Sequence, residues 1–349
     1  MIYKWAINVL FLVASLSICS GALVATELNH SPEQKAAEQK KVEQKTTAKL
    51  QVVTTFSILA DLVRQVGGEY IELQTLVDWD EDAHVYHPTP SDVRSLAKAD
   101  LLVVNGLGFE GWLERLISSS KFDGQLVTAT SGIDVIKRIS SHDGHNTHHG
   151  HSEHDGHDDH NDHGSHNSQS QQGVDPHAWH SLKAVKVYIQ NVLKALTKLD
   201  GSHQSYYQAN ASQYLVKLDD LATETSENLA KLSEVQRNIV MPHNAFAYLA
   251  RDYDLHVYSL KGINSESEAS AAQIAQVIRK IKAENIHAVF SETTADDRLI
   301  KLVQQETNAF MGGALISGAL SRKLAPTYLD MMRYNIQSIT QALVKENNN

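Results

Sequence analysis

The stretch LQVVTTFSILADLVRQVGGEYIELQTLV, Leu50 to Val77, decides the fold. It opens with a β-branched, apolar run of strand length. ILADLVRQVG then places apolar side chains at helical spacing, and IELQTLV returns to the strand pattern. Strand, helix and strand in succession argue for parallel strands joined by a crossover helix. The rhythm continues through SDVRSLAKAD, LLVVNGL, EGWLERLISS and QLVTAT, up to about Ile139. After about Asn238 it returns: NIVMP, AFAYLARDY, LHVYSL, SAAQIAQVIRKIKAE, IHAVFSE, DDRLIKLVQQET, AFMGGALI and a last amphipathic helix from about Thr327.

The fold class that follows is α/β, with two lobes, each a parallel β-sheet flanked by helices. Between them strand signals stop. Residues 182–199 and 203–235 both read as helices, with Gly201 breaking the run. A helix of ~30 residues spans ~45 Å, long enough to join the lobes as a stiff connector. Such a connector favours local rearrangement over large rigid-body closure. The expected divisions are an export signal (1–25), a polar tether (26–49), a first lobe (50–181), connecting helices (182–236) and a second lobe (237–349).

Composition narrows the chemistry. The 349 residues carry 31 basic and 41 acidic side chains, a formal charge of −10. Neutralising phosphates is therefore disfavoured and nucleic acid is not an expected partner; a cation is the natural one. Lys4 followed by an apolar run from Trp5 to about Ile18 is too short for a span of about 20 residues. It reads as a signal cut between Ala22 and Ala25, which makes the protein periplasmic. The one cysteine, Cys19, lies in that leader, and Ile18 before it is not the small residue a lipid-anchoring cysteine wants, so no anchor is expected. The mature chain then binds any metal through nitrogen and oxygen.

One segment stands apart. HDGHNTHHGHSEHDGHDDHNDHGSH steps histidine every third residue from His142 to His166, with His149 extra and Asp143, Glu153, Asp155, Asp158, Asp159 and Asp162 between. Residues 140–173 show no apolar periodicity and read as a long surface loop, disordered without ligand. Dense imidazole collects zinc, copper, nickel or cobalt with little discrimination. A solubilising insertion is the plainer reading of the same residues. Tight binding needs ligands held by packed elements, because a flexible loop loses entropy on every closure.

Three histidines sit at element ends. His84 lies in DAHVYHPTPSD, where Thr89-Pro90-Ser91-Asp92 is a helix start with a capping box. His177 lies in DPHAWHS. His243 lies in MPHNAFAYLA, after the buried strand NIVM, and the C-terminal ends of strands are where open α/β sheets bind ligands. Taken singly, each is better explained by capping or packing. NGLGFEGW contains glycines but lacks phosphate-loop spacing, and no HExxH or Ser-His-Asp arrangement is legible. Three histidines with an open position would also describe a zinc-dependent hydrolase.

DAHVYHPTPSD followed by ADLLVVNGLGFEGWLERL, then DPHAW, the His243 stretch, IHAVFSE and TYLDMMRYN (327–335) occur in the order seen in a known family. From about Leu50 to Val344 the chain resembles the ZnuA-like zinc and manganese solute-binding proteins of bacterial ABC importers. A histidine-rich segment before DPHAW is similar to the zinc-transporting members. The resemblance implies two lobes joined by a rigid helix and one metal in the cleft, held by His84, His177 and His243. Members that resemble manganese binders carry a carboxylate at the third position; three neutral imidazoles suit Zn²⁺.

The usual aspartate ligand appears here as Gly318, so the fourth position falls to water, to another residue or to a loop histidine. His87 stands where an acid is often found. Glu292 matches a family carboxylate, either as a helix-capping acid or as a partner that orients a ligand imidazole or the bound water. The expectation is a zinc carrier that works as a monomer with an ABC permease and its ATPase in the inner membrane. A metallochaperone is a further partner this reading allows. Zinc storage, or a surface adhesin without a transporter, is the alternative. Zinc affinity is expected to fall as pH drops below about 6.5, where imidazole takes up a proton.

Overall fold

The computed structural model describes residues 49–137, 173–262 and 269–344. The leader, the tether up to Ala48 and the histidine-rich segment His142–His166 lie outside the described residues. None of the described helices is long and apolar enough to cross a membrane.

The first lobe is a four-stranded parallel sheet. β1 (Leu50–Phe56), β2 (Ile71–Val77), β3 (Leu101–Val104) and β4 (Gln125–Thr128) lie in the order β2-β1-β3-β4. α1 (Ser57–Gly67), α2 (Pro90–Leu96) and α3 (Leu113–Ser120) alternate with these strands. β3, LLVV, is buried at every residue, as expected of a parallel strand covered on both faces. α2 begins on the capping box foreseen at Thr89: its Oγ1 accepts from Ser91 and Asp92 N–H, while Asp92 Oδ2 accepts from Thr89 N.

The second lobe repeats the plan. β5 (Asn238–Met241), β6 (His256–Ser259), β7 (Ala288–Glu292) and β8 (Phe310–Leu315) pair in parallel in the order β6-β5-β7-β8. Between the lobes run α4 (Leu182–Leu199) and α5 (Gln204–Leu229). α6 (Ala247–Tyr253), α7 (Ala271–Glu284), α8 (Arg298–Thr307) and α9 (Tyr328–Val344) complete the chain. α6, α7 and α8 end on residues in the left-handed region, Asp254, Asn285 and Asn308, which stops each helix at a turn.

Two details depart from the sequence reading. The long helix ends at Leu229 rather than near 235, because Ser233 and Gln236 form a capping box of their own and start a short 3₁₀ turn, Glu234–Arg237. And α4 packs on α1, β4 and α5, whereas α5 packs on both α1 and α9. The span between lobes therefore belongs to α5, ~39 Å at 1.5 Å per residue.

The lobes share one apolar core. It runs from Val52, Ile58 and Leu102 through Trp179, Tyr188 and Tyr328 to Phe290 and Met331, and a smaller cluster around Val240, Val289, Ile300 and Val303 packs within the second lobe. Polar contacts also cross the seam. Tyr328 N donates to Asp61 Oδ2 at 2.8 Å, Leu320 N to Ser57 Oγ at 3.0 Å and Asp80 N to Leu320 O at 2.8 Å. Trp79 Nε1 donates to Pro326 O at 3.1 Å, and its ring lies between the guanidinium groups of Arg64 and Arg322.

Candidate metal centre

Each of the three histidines sits past the C-terminal end of a strand or in the segment that crosses between lobes. His84 lies in a 3₁₀ turn, Ala83–Val85, that follows β2; Asp82 caps it by accepting from His84 N at 2.9 Å. His177 stands in Asp175–Ser181, the crossing segment before α4. It donates both its backbone N–H and its Nδ1–H to Asp175 Oδ1, each at 2.9 Å. His243 lies two residues beyond β5. It donates its backbone N–H to Glu292 Oε1 at 3.2 Å and its Nδ1–H to the same oxygen at 2.8 Å.

These bonds fix tautomers. A carboxylate only accepts, so Nδ1 of His177 and of His243 carries the proton and each Nε2 is left bare for a cation. One ligand atom from each of His84, His177 and His243 lies within 4.8 Å of the others, and the Nε2 atoms of His84 and His177 are 3.1 Å apart. Tetrahedral zinc with Zn–N of ~2.0–2.1 Å needs nitrogens ~3.3–3.4 Å apart, so small side-chain adjustments close the set around one ion. Aromatic edges wall the site: Phe109 lies 4.7 Å from His84 and Trp179 5.2 Å from His177, ring centre to ring centre.

Glu292 is the last residue of β7, 4% exposed. Its second oxygen accepts from Ser317 Oγ at 2.6 Å, so the carboxylate is occupied in holding His243 and the β8 loop. Ser317 O in turn accepts from Trp179 Nε1 and His180 Nε2, both at 2.8 Å, which ties the crossing segment to the second lobe. Two buried carboxylates, Asp175 and Glu292, thus stand behind two imidazoles, a charge of opposite sign and equal size to one divalent cation.

Burial governs the titration of His84 and His177. It pushes His84 down to about 4, with neighbouring carboxylates acting in the opposite sense, and holds His177 well below the usual histidine range, with the other two imidazoles adding to the effect. The expected loss of affinity from about pH 6.5 is therefore corrected for these two residues: desolvation keeps them neutral and ready for metal into more acid solution.

His87, where relatives often carry an acid, is exposed and turned to Val85 O at 2.8 Å, outside the cluster. At Gly318 a Cβ would meet nothing within 4 Å, so the position offers space and no donor. Two residues escaped the sequence reading. Asp175 was legible as the Asp of Asp-x-His, a short acid that accepts from N–H groups two residues on. His180 is fully buried, stacked on Phe246 at 4.2 Å and pushed down to about 3 by its burial; nothing in the sequence separated it from His177.

Comparison with known proteins agrees with this architecture. The family model described as zinc-uptake complex component A, periplasmic, matches residues 52–342. The iron-binding protein YfeA of Yersinia pestis is 31% identical over 85% of this chain and 87% of its own length. The manganese-binding lipoprotein MntA of Halalkalibacterium halodurans is 30% identical over 84% and 88%. The periplasmic zinc-binding protein TroA of Treponema pallidum superposes with a TM-score of 0.72 at 25% identity, over 85% of this chain and 99% of that one. Their names specify three metals, so similarity gives the class of ligand and leaves the element open. The name lipoprotein also runs against the expectation that Cys19 carries no lipid.

Proposed function

The chain belongs to the family of periplasmic metal-binding components of ABC importers, and from that premise we propose that it binds Zn²⁺ through His84, His177 and His243 and delivers it to a membrane permease driven by its ATPase. What carries the reading is the donor set: three imidazoles with a ligand atom each within 4.8 Å of one another and no carboxylate among them. Neutral nitrogen suits zinc, whereas manganese prefers oxygen. Asp175 and Glu292 orient two of the rings and balance the charge of the ion. Water, or a histidine from residues 142–166, supplies the fourth donor. The histidine-rich segment feeds the cleft and is not its substitute.

Metal competition with a chromophoric chelator tests this. Zinc is expected to outcompete manganese by several orders of magnitude, His177→Ala to abolish the tight site, and deletion of residues 142–166 to keep one tight site while lowering total zinc per chain. Tight binding that disappears with the deletion and survives His177→Ala would overturn the assignment.

A further inference from the structure

Asn105–Trp112, the segment NGLGFEGW, donates nothing to the metal, yet its backbone is held in an uncommon shape. Gly106, Leu107 and Gly108 take φ of 85°, 57° and 78° in succession. Leucine adopts such a conformation only where its surroundings impose it. Glu110 imposes it here. Its buried side chain accepts from Asn105 N at 2.6 Å, Gly106 N at 3.1 Å and Thr55 Oγ1 of β1 at 2.7 Å, so both oxygens pin the start of the loop to the sheet.

Two side chains reach out from this braced loop. Asn105 Nδ2 donates to Pro176 O at 2.9 Å, the carbonyl just before His177. Trp112 Nε1 donates to Ala83 O at 2.9 Å, the carbonyl just before His84. Tyr188 OH, bonded to Asn105 Oδ1 at 2.7 Å, fixes the amide so that its NH₂ faces Pro176. Between them Phe109 lies against both rings, 4.7 Å from His84 and 6.3 Å from His177. One loop therefore grips the peptide unit ahead of each of the two imidazoles whose Nε2 atoms stand 3.1 Å apart.

We propose that the Asn105–Trp112 loop is the gauge that sets the spacing of His84 and His177, with Asn105 and Trp112 as positioning residues and Glu110 as the brace. The inference rests on reading His84, His177 and His243 as ligands. It makes the first lobe carry a preset pair of nitrogens, which His243, anchored separately by Glu292, completes.

The test compares Trp112→Phe, Asn105→Ala, Asn191→Ala and His177→Ala. Asn191 is the control, because its amide braces Ala129 O and Ser131 O in the same lobe and touches neither ligand segment. Three measurements are taken: zinc affinity by chelator competition, the visible spectrum of the Co²⁺-loaded protein, and thermal unfolding of the metal-free protein. Loss of a group that supports a metal ligand typically costs about 10–100-fold in affinity. Trp112→Phe and Asn105→Ala are each expected to weaken zinc by about that factor and to shift the Co²⁺ bands, while Asn191→Ala leaves both unchanged at a similar loss of thermal stability. The two variants are independent, so misfolding of one leaves the other to decide.

If His177→Ala abolishes binding while Trp112→Phe and Asn105→Ala keep wild-type affinity and spectrum, the gauge is refuted and the ligand reading stands. Equal weakening by Asn191→Ala also refutes it, since bracing anywhere in the lobe would then suffice. Wild-type binding by His177→Ala removes the ligand reading itself.

Discussion

Ser317 and Gly318 follow β8 side by side and differ in what they offer. Ser317 holds Glu292 through its hydroxyl, while Gly318 leaves room in which a Cβ would meet no atom within 4 Å. Its φ is not among the positive values, so an aspartate fits without backbone strain. Gly318→Asp is expected to add an oxygen donor and strengthen Mn²⁺ binding by about tenfold or more relative to Zn²⁺, read by competition between the two metals. An unchanged ratio would show that position 318 does not face the ion. At this scale the sequence was informative where chemistry is local. His84, His177 and His243 were each visible at an element end. Their convergence came only with the family resemblance and not from the pattern itself, because it depends on the crossing of Asp175–Ser181 between two sheets that periodicity does not place relative to one another.

A hydrogen-bonding side chain sets where some helices begin, at Thr89, Ser181 and Ser270, and that of Thr89 was readable in advance. The capping box of Thr89 and Asp92 starts α2 and also receives Tyr86 OH, at 2.8 Å on Asp92 Oδ2. Thr89→Ala is expected to cost about 1 kcal/mol of stability, with zinc affinity close to wild type; urea titration of the metal-free protein measures it. LLVV was legible as a short unbroken apolar run, and AAQIAQVIRKIKAE by apolar side chains at helical spacing. The end of α5 was not. Apolar spacing continues through Leu232 and Val235, and only the local competition of Ser233 and Gln236 for backbone groups ends the helix there. The left-handed backbone of NGLGFEGW has no signature beyond its glycines.

For the whole molecule, acid is the informative variable. His177 and His180 are buried and His84 is half-buried, and all three are lowered by desolvation, His84 to about 4 and His180 to about 3. In the unfolded chain each protonates near 6.5, while the folded protein stays neutral. Below 6.5 the unfolded state therefore binds more protons, and stability falls with pH by about 1.4 kcal/mol per unit for each imidazole. Chemical denaturation of metal-free protein between pH 7 and 4.5 is expected to show this loss, and saturating zinc to offset it. Over the same range log affinity for zinc should fall by clearly less than three units per pH unit, since burial keeps His84 and His177, two of the three proposed ligands, unprotonated. A slope near three would mean that water reaches all three rings.

The seam between the lobes supplies its own optical probe. Among the described residues Trp112 and Trp179 are 3% and 0% exposed, while Trp79 stands at the joint with a guanidinium of each lobe on its ring and its N–H on the far side of the gap. Any step of cargo hand-over that parts the lobes strips one guanidinium and the Pro326 carbonyl from this half-buried indole and changes its emission, so docking on a permease can be followed by light, without a label.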